Sequence, residues 1–91
     1  AYLADPRDTA TPRGALAFLR ALDAGRLLSP ASTARLVDVM TRTPTGARRL
    51  KAGLPAGAAL AHKTGTGRTE QGVNSAANDV GLVTLPDGRR F

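Results

Sequence analysis

Two consecutive segments of this sequence begin with a capping residue followed by proline and stop at a helix-breaking residue. The first opens at Thr11-Pro12 and stops at Gly25, and the second opens at Ser29-Pro30 and stops at Thr43-Pro44. A Ser or Thr side chain accepts a hydrogen bond from the first helical turn, and proline at the first helical position needs no intrahelical partner. Apolar residues at helical spacing fill both segments. The pattern predicts helices over about 12–24 and 30–42, joined as an αα-hairpin.

The second half of the sequence has the pattern of short strands separated by glycine turns. After a short helical turn over about 45–51, small residues over 58–64 predict a strand, and the Gly-, Asn- and Ser-containing stretch 65–75 predicts a loop. The apolar run over 79–85 predicts a strand buried on both faces. Pro86-Asp87-Gly88 predicts a hairpin turn that leads into another strand. The fold class is therefore α+β, an αα-hairpin followed by two or three antiparallel strands of a larger sheet.

The sequence is short of the large apolar side chains from which a stable core is built. Its 91 residues are 42% hydrophobic, but they include only two Phe, one Tyr and no Trp. Large side chains contribute about 1.5–3 kcal/mol each on burial, and a chain of this length buries only about 60% of its unfolded surface. A final strand that starts at Arg89 would be only three residues long in the sequence given, so we expect these 91 residues to be part of a larger domain. The absence of cysteine excludes disulfides and thiolate metal sites.

The net charge of +6 comes from thirteen basic residues, mostly arginine, against seven acidic ones. Such a balance can indicate nucleic acid or an anionic surface as the partner. However, the basic residues cluster only at Arg48-Arg49-x-Lys51 and Arg89-Arg90, and aromatic residues for base stacking make up 3% of the chain. We therefore expect neither a nucleic-acid nor a membrane partner. No apolar run approaches the roughly 20 residues of a transmembrane helix, and the opening residues lack the features of a signal peptide.

The stretch His62-Lys63-Thr64-Gly65-Thr66-Gly67 places an ammonium, a hydroxyl and two glycines at the end of the predicted strand. Lysine is rare in this sequence, with only Lys51 besides Lys63. A Lys-Thr-Gly triplet lines one wall of the acylation cleft in the serine enzymes that recognise penicillin. No Ser-x-x-Lys occurs among the 91 residues, so this chain lacks the nucleophile and base of that chemistry.

Seven collinear stretches resemble the C-terminal half of class A β-lactamases. They are Asp5-Pro6-Arg7-Asp8-Thr9, Thr11-Pro12-Arg13, Leu27-Leu28-Ser29-Pro30-Ala31-Ser32, Thr45-Gly46-x-x-Arg49, Gly53-Leu54-Pro55-Ala56-Gly57, His62 to Gly67 and Asn78 to Gly88. The resemblance implies that residues 1–91 are the C-terminal part of one β-lactamase catalytic domain. Within it, residues 1–10 would end the omega loop, 11–52 would form the helical part, and 53–91 would form the sheet part with the Lys-Thr-Gly motif.

The resemblance assigns catalytic roles to Lys63 and Thr66. Lys63 would project into the cleft and set the electrostatics for the substrate carboxylate and a neighbouring serine, as a compact point charge does. The Thr66 backbone N–H would be one oxyanion donor, the second being the amide of the absent nucleophile. Substrate-binding roles fall on Thr64, Gly65, Gly67 and Arg49. The Thr64 hydroxyl and the Arg49 guanidinium would bind the substrate carboxylate, and the glycines would let the substrate backbone approach.

Two further residues, His62 and Asp8, have supporting roles in the resemblance. His62 is the only histidine and could act as a general base. Because the family has either Asp or His at this place, support of the strand is the favoured interpretation. Asp8 resembles the acid that closes the omega loop through an upstream arginine, and that arginine is missing here.

The activity that the resemblance implies for the parent enzyme is that of a serine β-lactamase. Such an enzyme opens the β-lactam amide through an acyl-enzyme and needs no metal or other cofactor. Besides Ser-x-x-Lys, the sequence lacks the Ser-Asp-Asn motif and the omega-loop Glu and Asn of the family, and its one glutamate, Glu70, does not match. We therefore expect the 91-residue chain alone to be inactive. The parent would be periplasmic or secreted, by resemblance only.

Three alternatives stay open at the level of sequence. A penicillin-binding DD-peptidase also carries Lys-Thr-Gly, although Asp5-Pro6-Arg7-Asp8 favours the lactamase. The chain could be an inactive basic interaction remnant, whose binding to DNA or membranes would fall steeply with salt. It could also pair with a separately supplied N-terminal half of the domain, or associate with itself, to cover exposed helix faces and sheet edges.

Overall fold

The computed structural model describes residues 4–7 and 9–91, and these form an α+β fold. The elements in chain order are helix α1 (Pro12–Asp23), helix α2 (Pro30–Arg42), a 3-10 helix (Leu50–Gly53) and the strands β1 (Ala59–Thr66), β2 (Thr69–Glu70), β3 (Val73–Asn74) and β4 (Ala77–Thr84). Helices followed by antiparallel strands are the fold class that the sequence predicts, and that prediction is confirmed.

Both helices begin where the capping residues predict. The Thr11 hydroxyl accepts a hydrogen bond from the Gly14 N–H at 3.0 Å, and the Ser29 hydroxyl accepts one from the Ser32 N–H at 3.2 Å. Gly25 has a φ of 73°, a left-handed conformation that glycine adopts without steric cost. The two predicted helices are confirmed to within one residue of their ends.

Strands β1 and β4 form the antiparallel ladder that carries the Lys-Thr-Gly motif. Its register runs from Ala59 opposite Thr84 to Thr66 opposite Ala77. Beyond the turn at 86–88 the chain folds back, so that Phe91 N donates to Val83 O at 2.8 Å and Val83 N donates to Phe91 O at 2.7 Å. The predicted hairpin at this turn is confirmed. β4 thus has a neighbour on each side, whereas β1 has one edge that no described strand pairs.

Residues 65–75, predicted as a loop, contain a small hairpin instead. Its pairs are Thr69 with Asn74 and Glu70 with Val73, which form β2 and β3. The connecting residues Gln71 and Gly72 have φ of 52° and 77°. Two successive positive φ values are those of a type I′ turn, whose twist matches that of paired strands. The loop prediction is wrong because Gln-Gly is a weaker hairpin signal than the Asn-Gly that such turns usually contain.

The core is small and lies where the helices meet the sheet. Leu22 of α1, Met40 of α2, Ala61 of β1 and Leu82 of β4 are buried together. The prediction that the strand over 79–85 is buried on both faces is wrong within the described residues: Val80, on the same face as Leu82, is 39% exposed, and Val83 on the other face is only partly buried. Leu82 packs within the core, whereas no described element buries Val80 to the same extent.

At the opening of the described chain, Arg7 binds the side chain of Asp5. Arg7 N donates to Asp5 Oδ1 at 2.9 Å, and the Arg7 guanidinium also binds this carboxylate. These hydrogen bonds, chiefly those of the side chain, hold the pKa of Asp5 below its usual value. Asp8, expected to resemble the omega-loop acid, lies outside the described residues. Neither α1 nor α2 is long and apolar enough to cross a membrane, and the rest of the described chain has no such helix.

Candidate active site

The end of β1 presents alternate backbone groups to the open edge of the sheet. Gly67 N donates to Ala76 O at 2.7 Å, which fixes the phase of the ladder with β4. In an antiparallel pair, hydrogen-bonded residues alternate with residues whose N–H and C=O point the other way. Thr64 and Thr66 are of the second kind. The Thr66 N–H therefore points away from β4, along the edge that no described strand pairs.

Lys63 lies beside this open edge. Its side chain is exposed, and Nζ donates to Thr64 O at 2.6 Å. That carbonyl is one of the groups which the ladder leaves free, so the ammonium is drawn to the edge on which the Thr66 N–H lies. The predicted cation and the predicted oxyanion donor are thus on the same side of the strand.

The Thr64 hydroxyl belongs to a chain of three hydroxyl groups. Thr64 Oγ1 lies 3.0 Å from Thr45 Oγ1, which lies 3.2 Å from Thr43 Oγ1. Each hydroxyl carries one hydrogen and can accept two hydrogen bonds. Thr64 can therefore accept from Thr45 and still have its own hydrogen free for a ligand. Nothing in the sequence pattern alone indicated that Thr43 and Thr45, just after α2, reach β1.

Arg49 binds both strands of the ladder at the Lys-Thr-Gly end. Its Nη1 donates to Gly65 O at 2.9 Å and to Asn78 O at 2.8 Å, and Nη2 donates to Thr66 Oγ1 at 2.8 Å. Gly65 and Asn78 are opposite each other in the register. The guanidinium fork therefore ties β1 to β4 and adds a second positive charge at this end of the sheet, with two of its five N–H groups left for other partners.

The two glycines of the motif lie against side chains of the same protein. A Cβ on Gly65 would collide with the carboxamide of Asn78, and a Cβ on Gly67 would collide with the Ser75 hydroxyl and lie 3.0 Å from Ala76 N. The family resemblance implies that the absence of side chains at these glycines lets a substrate approach. In the described structure, Asn78 fills the space beside Gly65, and Ser75 and Ala76 fill the space beside Gly67. Both glycines are therefore needed for β1 to pack against β4 and the segment before it.

A buried pair formed by His62 and Asp79 lies beneath the site. His62 Nδ1 is 2.8 Å from Asp79 Oδ1 and 3.0 Å from Oδ2, and both side chains are 3% exposed. Leu50 N also donates to Asp79 Oδ2, at 3.3 Å. The sequence analysis did not identify Asp79 as the partner of His62. An acidic residue at the start of an otherwise apolar strand was the signal that could have indicated it. For His62, the contact agrees with support of the strand rather than with a general base.

All six predicted site residues converge on one end of the sheet, five on Lys63–Gly67 and the sixth, Arg49, above them. Two cations and an unused backbone N–H lie along the same end of β1, an arrangement that suits an anionic ligand. The Asp79 carboxylate beneath the site is buried and already has donors. Among residues 4–7 and 9–91, no group of three His, Cys, Asp or Glu side chains is placed to hold a metal ion.

Comparison with known proteins relates this chain to β-lactamases. A family model described as the β-lactamase enzyme family matches residues 2–91. The extended-spectrum β-lactamase PER-1 of Pseudomonas aeruginosa is 46% identical over 77 residues, which are 85% of this chain and 25% of that protein. A β-lactamase crystal structure from Chitinophaga pinensis has a TM-score of 0.88 at 41% identity, over 99% of this chain and 33% of that one. PBP-A, a mutant of which has been solved as an acyl-enzyme complex with penicillin G, has a TM-score of 0.72 at 35% identity, over 89% of this chain and 28% of that one.

These matches cover most of this chain and a smaller share of each relative. The chain spans about a quarter of the length of the curated relatives that it matches. The family match nevertheless runs over almost every residue given, and it includes the Lys-Thr-Gly strand together with both helices. The chain therefore belongs to the β-lactamase enzyme family, in its class A branch.

Proposed function

We propose that residues 1–91 are the C-terminal part of one β-lactamase catalytic domain and supply the Lys-Thr-Gly wall of its active site. The reaction is hydrolysis of the β-lactam amide through an acyl-enzyme on a serine outside these residues. The observation that carries the proposal is the open edge of β1, which presents the Lys63 ammonium, the Thr64 carbonyl and the Thr66 N–H together. The family match over residues 2–91 supports it.

Thr66 acts in this mechanism through its backbone. Attack of the serine hydroxyl on the β-lactam carbonyl places negative charge on the carbonyl oxygen. The Thr66 N–H is available to that oxyanion because the ladder with β4 does not use it. The second donor is the amide of the nucleophile. Loss of one such donor typically costs about 2.7–4 kcal/mol of transition-state stabilisation.

Lys63, Thr64 and Arg49 bind the substrate carboxylate and set the charge around it. Lys63 is exposed at the edge, and the Thr64 hydroxyl has a hydrogen to donate when it accepts from Thr45. Arg49 keeps two N–H groups beyond the three that bind the sheet. Gly65 and Gly67 take part through their backbones, since side chains of this protein occupy the space beside both of them.

The 91-residue chain is inactive by itself in this proposal, because it has no Ser-x-x-Lys, no Ser-Asp-Asn and no matching omega-loop carboxylate. The N-terminal half of the domain supplies those groups and covers the exposed helix faces. Without it, the chain covers the same surfaces by self-association. The full-length protein acts outside the cytoplasm, as a periplasmic or secreted enzyme, which cell fractionation checks.

Intact mass spectrometry after incubation with a penicillin tests the proposed activity. The full-length protein that contains these residues should transiently gain the mass of one penicillin and release hydrolysed product. The 91-residue chain should stay unlabelled at 9.4 kDa. An adduct on the chain itself, or a full-length protein that neither forms an adduct nor turns over penicillin, contradicts the proposal.

A penicillin-binding DD-peptidase is the second candidate, because PBP-A matches this chain at a TM-score of 0.72. The same experiment separates the two candidates by the lifetime of the adduct. A β-lactamase releases the opened penicillin and returns to its unlabelled mass, whereas an enzyme that is only trapped by penicillin keeps the adduct. Accumulation of a stable adduct together with cleavage of a D-Ala-D-Ala peptide favours the peptidase.

A further inference from the structure

We propose that the buried His62–Asp79 pair holds the Lys-Thr-Gly strand and Arg49 in register with each other. It is a positioning device for the carboxylate-binding groups of the site. The inference rests on the proposed function, since it concerns residues that the proposal places against substrate. His62 and Asp79 themselves touch no substrate in it. They act through the residues next to them in the sequence.

The pair joins three segments, each next to a residue of the proposed site. His62 directly precedes Lys63 on β1. Asp79 lies on β4, directly opposite Thr64 in the register. Leu50, whose N–H binds the Asp79 carboxylate, directly follows Arg49. One side-chain pair thereby fixes the relative positions of two strands and of the segment that carries the guanidinium.

A hydrogen bond couples the two side chains. With Asp79 as a carboxylate, which can only accept hydrogen bonds, His62 Nδ1 is the donor between them. Both side chains are 3% exposed, and water therefore cannot replace a lost donor. A buried carboxylate without its donors is strongly disfavoured. A slip of β1 along β4, or a shift of the segment around Leu50, would remove one donor and is resisted for that reason.

The Arg49 guanidinium binds the residue that precedes Asp79 on β4. Its Nη1 binds Asn78 O, and Asn78 directly precedes Asp79 on β4. The Arg49 guanidinium and His62 therefore bind successive residues of β4, Asn78 and Asp79. If the pair is lost, the fork still binds the sheet, but the backbone segment that carries Arg49 loses its attachment to β4 through Leu50 N and Asp79.

Three variants of the full-length protein test this role by steady-state kinetics with a penicillin. His62→Asn keeps a donor close to the place of Nδ1, and His62→Leu keeps similar volume without a donor. Leu60→Ala is the matched control, because Leu60 is buried on the same strand and its side chain has no donor or acceptor for the pair. His62→Leu should raise KM at least about tenfold, and His62→Asn should stay within about threefold of the parent.

The split between KM and kcat separates positioning from general loss of stability. A variant that is only less folded has fewer active molecules, which lowers the apparent kcat and leaves KM unchanged. Leu60→Ala should behave in that way. A His62→Leu enzyme with the parent KM, or a Leu60→Ala enzyme whose KM rises as much, overturns the inference.

Hydrogen exchange gives a second readout that does not depend on activity. His62→Leu should speed exchange in peptides that cover 62–67 and 48–52 together, whereas His62→Asn should not. Unchanged exchange in the second peptide of His62→Leu overturns the proposed link to Arg49. A parent protein without hydrolysis or adduct defeats the proposed function alone, and the exchange data still decide whether the pair couples the two segments.

Discussion

Gly46 lies in close contact with two side chains of β1. It has a φ of 74°, and a Cβ at this position would lie 2.5 Å from Thr64 Cγ2 and 3.3 Å from His62 Cε1. Any other residue is therefore disfavoured twice, by the backbone conformation and by the contact with the site. Gly25 has nearly the same φ, 73°, but nothing within 4 Å of its Cβ position.

These two glycines allow a matched test of the contact. Gly25→Ala should cost about 1 kcal/mol of unfolding free energy from backbone strain alone. Gly46→Ala should cost at least about 2 kcal/mol, since Thr64 must also move. Urea unfolding of both full-length variants measures the difference. Equal losses would mean that the segment around Gly46 yields freely and does not hold Thr64.

Arg49 gives a second prediction at the residue scale. Arg49→Lys keeps the positive charge, but a single ammonium cannot span Gly65 O, Asn78 O and Thr66 Oγ1 as the fork does. We expect KM for penicillin to rise about tenfold, which corresponds to about 1.4 kcal/mol of lost binding. Steady-state kinetics measures it, with the neighbouring exposed Arg48→Lys as control. A parent-like KM in Arg49→Lys would show that charge alone suffices.

At the scale of elements, the helices are specified by their capping residues. The Ser29 hydroxyl accepts from Ser32 N at 3.2 Å, whereas the structure gives the Ser32 hydroxyl no such bond to a described residue. Ser29→Ala should therefore lower the unfolding free energy by about 1 kcal/mol, and Ser32→Ala should change it little. Thermal or urea unfolding of the two variants decides the point. Equal effects would mean that the first turn of α2 is held by packing instead.

Local signals explain what the sequence could predict about these elements and what it could not. Thr11 and Ser29 act on their own first turns, so the helices were predictable to within a residue. The β2–β3 hairpin depends on positive φ at Gln71, a conformation that the sequence gives little reason to expect. The His62–Asp79 contact depends on the register of β1 with β4, which brings together residues 17 apart. Long-range register is not encoded in any local pattern.

At the scale of the whole molecule, the chain exposes more surface than a compact protein of its mass. Its accessible surface is 7139 Å², against roughly 5,000 Å² for a compact monomer of that size. Its radius of gyration is 14.8 Å, whereas about 12 Å is expected for 91 residues. The excess surface is comparable to the area that a stable protein–protein interface buries.

Exposed apolar side chains account for part of this surface. On α1, Phe18 is 57% exposed and Leu16 is half exposed, and at the end of the chain Phe91 is 68% exposed. Such side chains favour association when nothing else covers them. The open edge of β1 adds unpaired backbone groups that a second strand can bind.

We therefore expect the isolated 91-residue chain to self-associate, and the self-association to be lost when the rest of the domain is supplied. Light scattering coupled to size exclusion should give a weight-average mass well above 9.4 kDa at micromolar concentration. Addition of the separately expressed N-terminal half should convert this material into a one-to-one complex and restore penicillin hydrolysis. Phe18→Ser, which removes an exposed apolar ring and touches no site residue, should reduce the self-association. A monodisperse 9.4 kDa monomer with a cooperative melt would show that the small core around Leu22 and Leu82 is sufficient, and the excess surface would then need no partner.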